Sequence, residues 1–176
     1  MFFNLRKILH CIMDYYQGVV REFLQTDRSM FVNEELIIDL DYDEMRPQGK
    51  NAKGRHWICD LAVISQRERT MYLGEVTFNK SLQSLVKRFE NWAKVWPELV
   101  ESLVRDSGLD PAWKVVPWAF VPKASRDLLD TRVAMMKNVG FRSDEMPRPK
   151  VTYLEDCVPW KHKEWKGRPS EYMQSP

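Results

Sequence analysis

The glycine loops that bind phosphate are missing from this chain. Its seven glycines form neither GxG nor GxxxxGK followed by Ser or Thr, so a dinucleotide fingerprint and a P-loop are both excluded. GxSxG and HExxH do not occur, which removes the usual hydrolase elbow and zincin helix. The three histidines, His10, His56 and His162, are too scattered for a cluster to be read from spacing. Cys11, Cys59 and Cys157 are odd in number, lie far apart and form no CxxC pair; a reduced, cytoplasmic setting suits them best. No apolar run approaches the roughly 20 residues that cross a bilayer. The opening stretch carries Arg6 and Lys7 among its apolar residues and has no small-residue cleavage site, so it does not read as a signal peptide. The expectation is a soluble cytoplasmic protein with no membrane contact.

What the chain does have is core-forming material. Its 176 residues are 44% apolar and 12% aromatic, enough for one well-packed core and too few for two comfortable ones. A single domain over residues 1–156 is expected. Residues 157–176 form a C-terminal extension whose tail from Pro159 is polar, proline-containing and aperiodic, suited to a partner-binding arm. A formal charge of +2 is too small to argue for or against nucleic acid.

Apolar residues recur at three- and four-residue steps from Leu5 to Leu24, predicting a first helix. Strand-like residues follow around Leu36 to Leu40, then a polar loop punctuated by Pro47, Gly49 and Gly54. Two strands begin at Trp57 and Thr70, joined by the turn Gln66–Arg69; the first is apolar on both faces and belongs inside a sheet. Leu82, Leu85, Val86, Phe89, Trp92, Ala93 and Trp96 then mark one side of an amphipathic helix, which Pro97 should kink or restart. The stripe marks Trp92 and Trp96 as core residues. The run from Trp113 contains Pro117, which suggests an edge strand or bulge. A helix over Ser125–Asn138, closed by Gly140, and a last strand around "KVTYLED" complete the reading. Strands and helices interleaved in this way predict an α/β domain with a mixed central sheet flanked by helices.

Asp60 in "WICDLAVI" and Glu75 in "YLGEVTF" are the two acids set in buried-looking strands. An ionised carboxylate there needs a cation, a donor or a metal. A hairpin through the Gln66–Arg69 turn would bring both acids to one end of the sheet, where two oxygen donors suit a hard divalent ion such as magnesium. An ion pair with an arginine such as Arg88 is the other reading of the same residues.

An Asp opening one strand, then Glu-x-Lys near the end of the next, then an amphipathic helix, resembles the PD-(D/E)XK pattern of restriction-endonuclease-like nucleases and Holliday-junction resolvases. Here the pattern reads "CDLAVI" and "GEVT", and the resemblance covers roughly residues 15–122. It implies a restriction-endonuclease-like αβββαβ core and a nuclease that hydrolyses DNA with Mg2+ or Mn2+. Asp60 and Glu75 would bind the metal, together with the Val76 carbonyl. Glu22 matches an additional acid of many members, with Glu34 and Glu35 as competitors for that role. Gln83 and Lys87 would face the site. Thr77 stands where the pattern has lysine, and a hydroxyl cannot supply that positive charge. Lys80, three residues on, or Lys87 would have to supply it from a neighbouring element. The alternative is a catalytically silent member of the fold that binds nucleic acid or a protein partner, its tail serving as the contact.

Arg46, Lys50, Lys53, Arg55, Arg67 and Arg69 flank the first central strand. On loops beside the carboxylates they would meet a phosphate backbone; elsewhere they are ordinary solvated charge.

Overall fold

A computed structural model describes residues 15–40, 55–79, 81–138 and 146–158. Lys50, Lys53, Lys80, Arg46, Gly140, residues 5–14 of the expected first helix and the tail from Pro159 lie outside them. Residues 15–25 are helical (α1). There follow β1 (Met30–Asp39), β2 (His56–Ser65), β3 (Thr70–Val76), α2 (Gln83–Lys94), α3 (Trp96–Ser107), β4 (Lys114–Val121), α4 (Arg126–Asn138) and β5 (Lys150–Tyr153). The five strands make one mixed sheet in the order β1-β2-β3-β4-β5. β2 runs antiparallel to both β1 and β3, while β4 runs parallel to both β3 and β5.

The β2–β3 hairpin forms because its apolar residues can be buried on both faces. Cys59, Leu61, Val63 and Leu73 have no exposed surface, and a strand so covered belongs in the interior of a sheet. The alternation of β3 sorts its side chains: Met71 and Leu73 join the core under α2, α3 and α4, and Tyr72 and Val76 join the core under α1. The result is three layers, with α1 on one face and α2–α4 on the other. Cys157, in the segment after β5, is buried in the α1-side core.

α2 buries the expected stripe of Leu85, Val86, Phe89, Trp92 and Ala93. Pro97 restarts the chain rather than kinking it: α2 ends at Lys94, and α3 begins at Trp96 with the proline in its first turn. The missing N–H costs nothing in that turn. Pro117 corrects the expectation of an edge strand, because β4 lies between β3 and β5. The proline is tolerated because β5 pairs only with Trp118–Val121, so at Pro117 the β5 side is open. β1 begins earlier than its sequence suggests, at Met30. No described helix is long and apolar enough to cross a membrane.

Gly74 sits tightly against β2. A Cβ built there would lie 3.0 Å from the Leu61 Cβ and 3.3 Å from the Leu61 carbonyl oxygen. Gly74→Ala should therefore cost about 1–3 kcal/mol by overpacking, read as a lower urea midpoint; an unchanged midpoint would contradict the packing described.

Candidate functional site

Register sets the two acids side by side. Leu61 pairs with Gly74 at the end of the β2–β3 ladder, so the next step places Asp60 opposite Glu75. On the other flank Glu34 pairs with Leu61 and Leu36 with Cys59, which puts Glu35 opposite Asp60. Glu35, Asp60 and Glu75 thus form a row across three strands.

β1 and β2 break their alternation at this row. Val32 packs on the α1 side, but Leu36 and Ile38 pack on the α2 side; Cys59 packs on the α2 side, but Leu61 and Val63 on the α1 side. Glu35 carries the break with a left-handed backbone, φ 54°, an uncommon and strained conformation for a residue with a side chain.

With the ladder interrupted, the Asp60 carboxylate does the work of a backbone acceptor. Its Oδ2 accepts the Val76 N–H at 2.8 Å. Behind it, Gln17 Nε2 of α1 donates to the Asp60 carbonyl at 3.0 Å. Glu75 points to the α2 side, where Arg88 Nε stands 3.5 Å from its Oε2. Arg88 also donates to the Ile58 carbonyl. The other oxygen of Glu75, Oε1, is buried with no hydrogen-bond partner. A carboxylate oxygen left this way is costly while charged.

The electrostatics follow from that burial. Desolvation, reinforced by the Asp60 charge and opposed by Arg88 and the Asp60 N–H, raises the Glu75 pKa to about 8. Asp60 is also raised, first by burial and last by Glu35, against the Val76 N–H and Arg88. Burial and the two carboxylates push the neighbouring Cys59 thiol up to about 12, so it stays protonated and is no nucleophile.

Thr77, at the lysine position, has a local structural task. Its N–H extends the β3–β4 pairing to the Phe120 carbonyl at 3.0 Å, and its Oγ1 accepts the Asn79 N–H at 3.2 Å. Asn79 Oδ1 in turn accepts from the Ser81 N–H and hydroxyl, both at 3.0 Å. These bonds shape the turn that leads into α2.

Of the other residues read from sequence, Glu35 is the acid whose charge acts on Asp60. Glu34 is held by Arg21 at 3.0 Å, and Glu22 is exposed on α1. Gln83 and Lys87 line a separate cleft with Lys94 and, from α4, Arg132; it is Arg88 that α2 turns toward Glu75. Arg55 contacts Glu98 at 3.1 Å. Arg67 and Arg69 do not sit beside the carboxylates. They belong to the β2–β3 turn, and antiparallel pairing puts that turn at the opposite end of the hairpin from Asp60 and Glu75. Among the described residues no group of three or more His, Cys, Asp or Glu is gathered for a metal ion; Asp60 and Glu75 are a pair of carboxylates.

One surface feature escaped the sequence reading. Phe78, one residue past Thr77, stacks on Tyr16 at 4.7 Å and an interplanar angle of 10°. Tyr15 meets Tyr16 edge-on at 5.4 Å. Tyr15 is 65% exposed and Phe78 46%. Gln17, next along α1, reaches Asp60, so this aromatic surface lies at the carboxylate end of the sheet. Tyr15 and Phe78 are 63 positions apart, and no periodicity links them.

The sequence matches no family model and none of the curated proteins, so the functional reading rests on the geometry of this site.

Proposed function

We propose that the protein is a metal-dependent nuclease that hydrolyses DNA phosphodiester bonds at Asp60 and Glu75. The observation that carries this reading is the orphaned Oε1 of Glu75, buried beside a second carboxylate. The order helix, three antiparallel strands, two successive helices, parallel strand supports a restriction-endonuclease-like core. So does the place of the acid, at the carboxyl end of β3, where sheets of this kind bind ligands.

The residues fit a magnesium or manganese ion. Such an ion takes one or two carboxylates and keeps several waters, which is what Asp60 and Glu75, with the Val76 carbonyl, would offer. When bound, it would supply an activated water and offset the negative charge that grows as the bond breaks.

The protein's own part is positioning. The Val76 N–H holds Asp60 through Oδ2 and leaves Oδ1 for a ligand. Arg88 keeps positive charge beside Glu75, favouring the ionised form that a metal needs. Lys80 is the cation assigned to the scissile phosphate, in place of the lysine that Thr77 replaces. The aromatic surface of Tyr15, Tyr16 and Phe78 offers unpaired bases a stacking platform, favouring single-stranded over duplex DNA.

Plasmid and single-stranded DNA incubated with Mg2+ or Mn2+ test the proposal. Wild type should cut, and Asp60→Asn and Lys80→Ala should cut far less; equal cleavage by Asp60→Asn would sink it. Phe78→Ala should weaken binding of a single-stranded oligonucleotide by about tenfold, since one stacked base is worth ~1–3 kcal/mol, with little effect on duplex. Equal losses on both would remove the stacking role. The second reading, a silent nucleic-acid-binding or protein-binding module, is favoured by the Arg88–Glu75 contact, which lets the two acids stand as a structural pair, and by the turn that occupies Thr77. It predicts binding without cleavage.

A further inference from the structure

We propose that the cavity between α1 and the β4–β5 side of the sheet is a binding site for a phosphate ester of mononucleotide size. It encloses about 730 Å3, within the roughly 300–1,000 Å3 of small-molecule sites. Phe23, Leu24, Met30 and Trp118 supply its apolar lining. Three cations converge on it from separate elements: Arg28 after α1, Arg67 in the β2–β3 turn and Lys150 at the start of β5.

The charges are unevenly spent. The Asp27 carboxylate already accepts the Ser29 N–H at 2.9 Å and the Ser29 hydroxyl at 2.7 Å, and it lies 3.7 Å from Arg67. Lys150 has its ammonium 3.8 Å from the Trp118 ring centre and 4.5 Å from that of Tyr72. Among the described residues neither Lys150 nor Arg28 is in an ion pair with a carboxylate. Aromatic faces hold a cation without using its N–H donors, so the ammonium is fixed in place with its hydrogen bonds still to give. Burial lowers the Lys150 pKa, partly opposed by Glu68, and an arriving anion would reverse that loss.

Phosphate suits this arrangement better than a single carboxylate. Its oxygens can accept from cations on three sides, and its double charge matches Lys150, Arg28 and the partly engaged Arg67. The apolar lining takes the organic body, and Asp156 at the wall meets a hydroxyl or amino group of the ligand. The site is distinct from the carboxylate pair. It lies on the α1 side of the sheet, reaching from the hairpin turn at Arg67 to Trp118 and Lys150 at the level of Gly74, whereas Glu75 faces α2 from the other side.

Calorimetric titration of the full chain with nucleoside monophosphates, in the absence of divalent metal, tests the proposal. At least one of AMP, GMP, CMP and UMP should bind at one site per chain, and its nucleoside should bind weakly or not at all. Lys150→Met, which keeps an apolar stem over the rings, and Arg28→Gln, at an exposed position, should each weaken binding by about tenfold or more, the worth of one charge-assisted contact. The proposal is overturned if no monophosphate binds, if Lys150→Met binds as tightly as wild type, or if inorganic phosphate alone binds as tightly as the nucleotides.

Discussion

In metal-free solution the wild-type protein should lose stability as pH rises from about 4.5 to about 8, and Glu75→Gln should abolish most of that loss. The Glu75 pKa stands at about 8 in the folded chain against 4.5 for a freely solvated glutamate. Between those values the native state holds a proton that the unfolded chain has released, so stability falls with rising pH. Below the lower value both states are protonated and the penalty vanishes; above the upper value it is fully present. Glutamine keeps the shape and cannot ionise. The effect should reach a few kcal/mol at most, because Arg88 shares the charge and a buried pair relaxes. Urea midpoints across this range check it, and a slope equal in both proteins would contradict the burial of Glu75. Saturating Mn2+ should flatten the wild-type slope as well, since a bound cation favours the ionised carboxylate.

Asp60 should divide cleanly by substitution. Asp60→Ala leaves the Val76 N–H without its acceptor, costing about 1–3 kcal/mol, and it removes one of the two proposed metal ligands. Asp60→Asn keeps an oxygen for that N–H and so should remain folded near wild-type stability, yet it loses the negative charge proposed to hold the ion. Cleavage should fall by at least ~100-fold in both, the scale on which mutation of a metal's protein environment acts, while only the alanine variant shows a lowered urea midpoint. Comparable stability in both would mean that the 2.8 Å contact to Val76 carries little. Full cleavage by the asparagine variant would remove Asp60 from the chemistry.

The local signals in the sequence were legible because each reflects one rule. The β2–β3 hairpin was marked by apolar residues on both faces and a charged turn, and the hairpin alone brought Asp60 and Glu75 to one end. α2 was legible from its 3.6-residue stripe, down to the break before Pro97. The start of β1 was harder: Phe31, Asn33, Glu34 and Glu35 are exposed on a strand that pairs only with β2, so burial writes little pattern there. Arg88 was named as a partner for either acid, but only the tertiary arrangement shows that Glu75 receives it. The Tyr16–Phe78 stack and the cations of the α1-side cavity come from elements remote in sequence, which no window of neighbouring residues can join. Thr77 was readable as a departure from the lysine pattern, whereas its role in the turn became visible only with its hydrogen bonds.

The silent-module reading and the nuclease reading diverge first at metal binding. The most direct test is a calorimetric titration of Mn2+ into the wild-type chain, Glu75→Gln and Asp60→Asn at pH 8, where Glu75 is substantially ionised. The account predicts saturable binding to wild type that both substitutions abolish, with folding preserved in each. Binding of equal strength in all three proteins, or none in wild type, would contradict it.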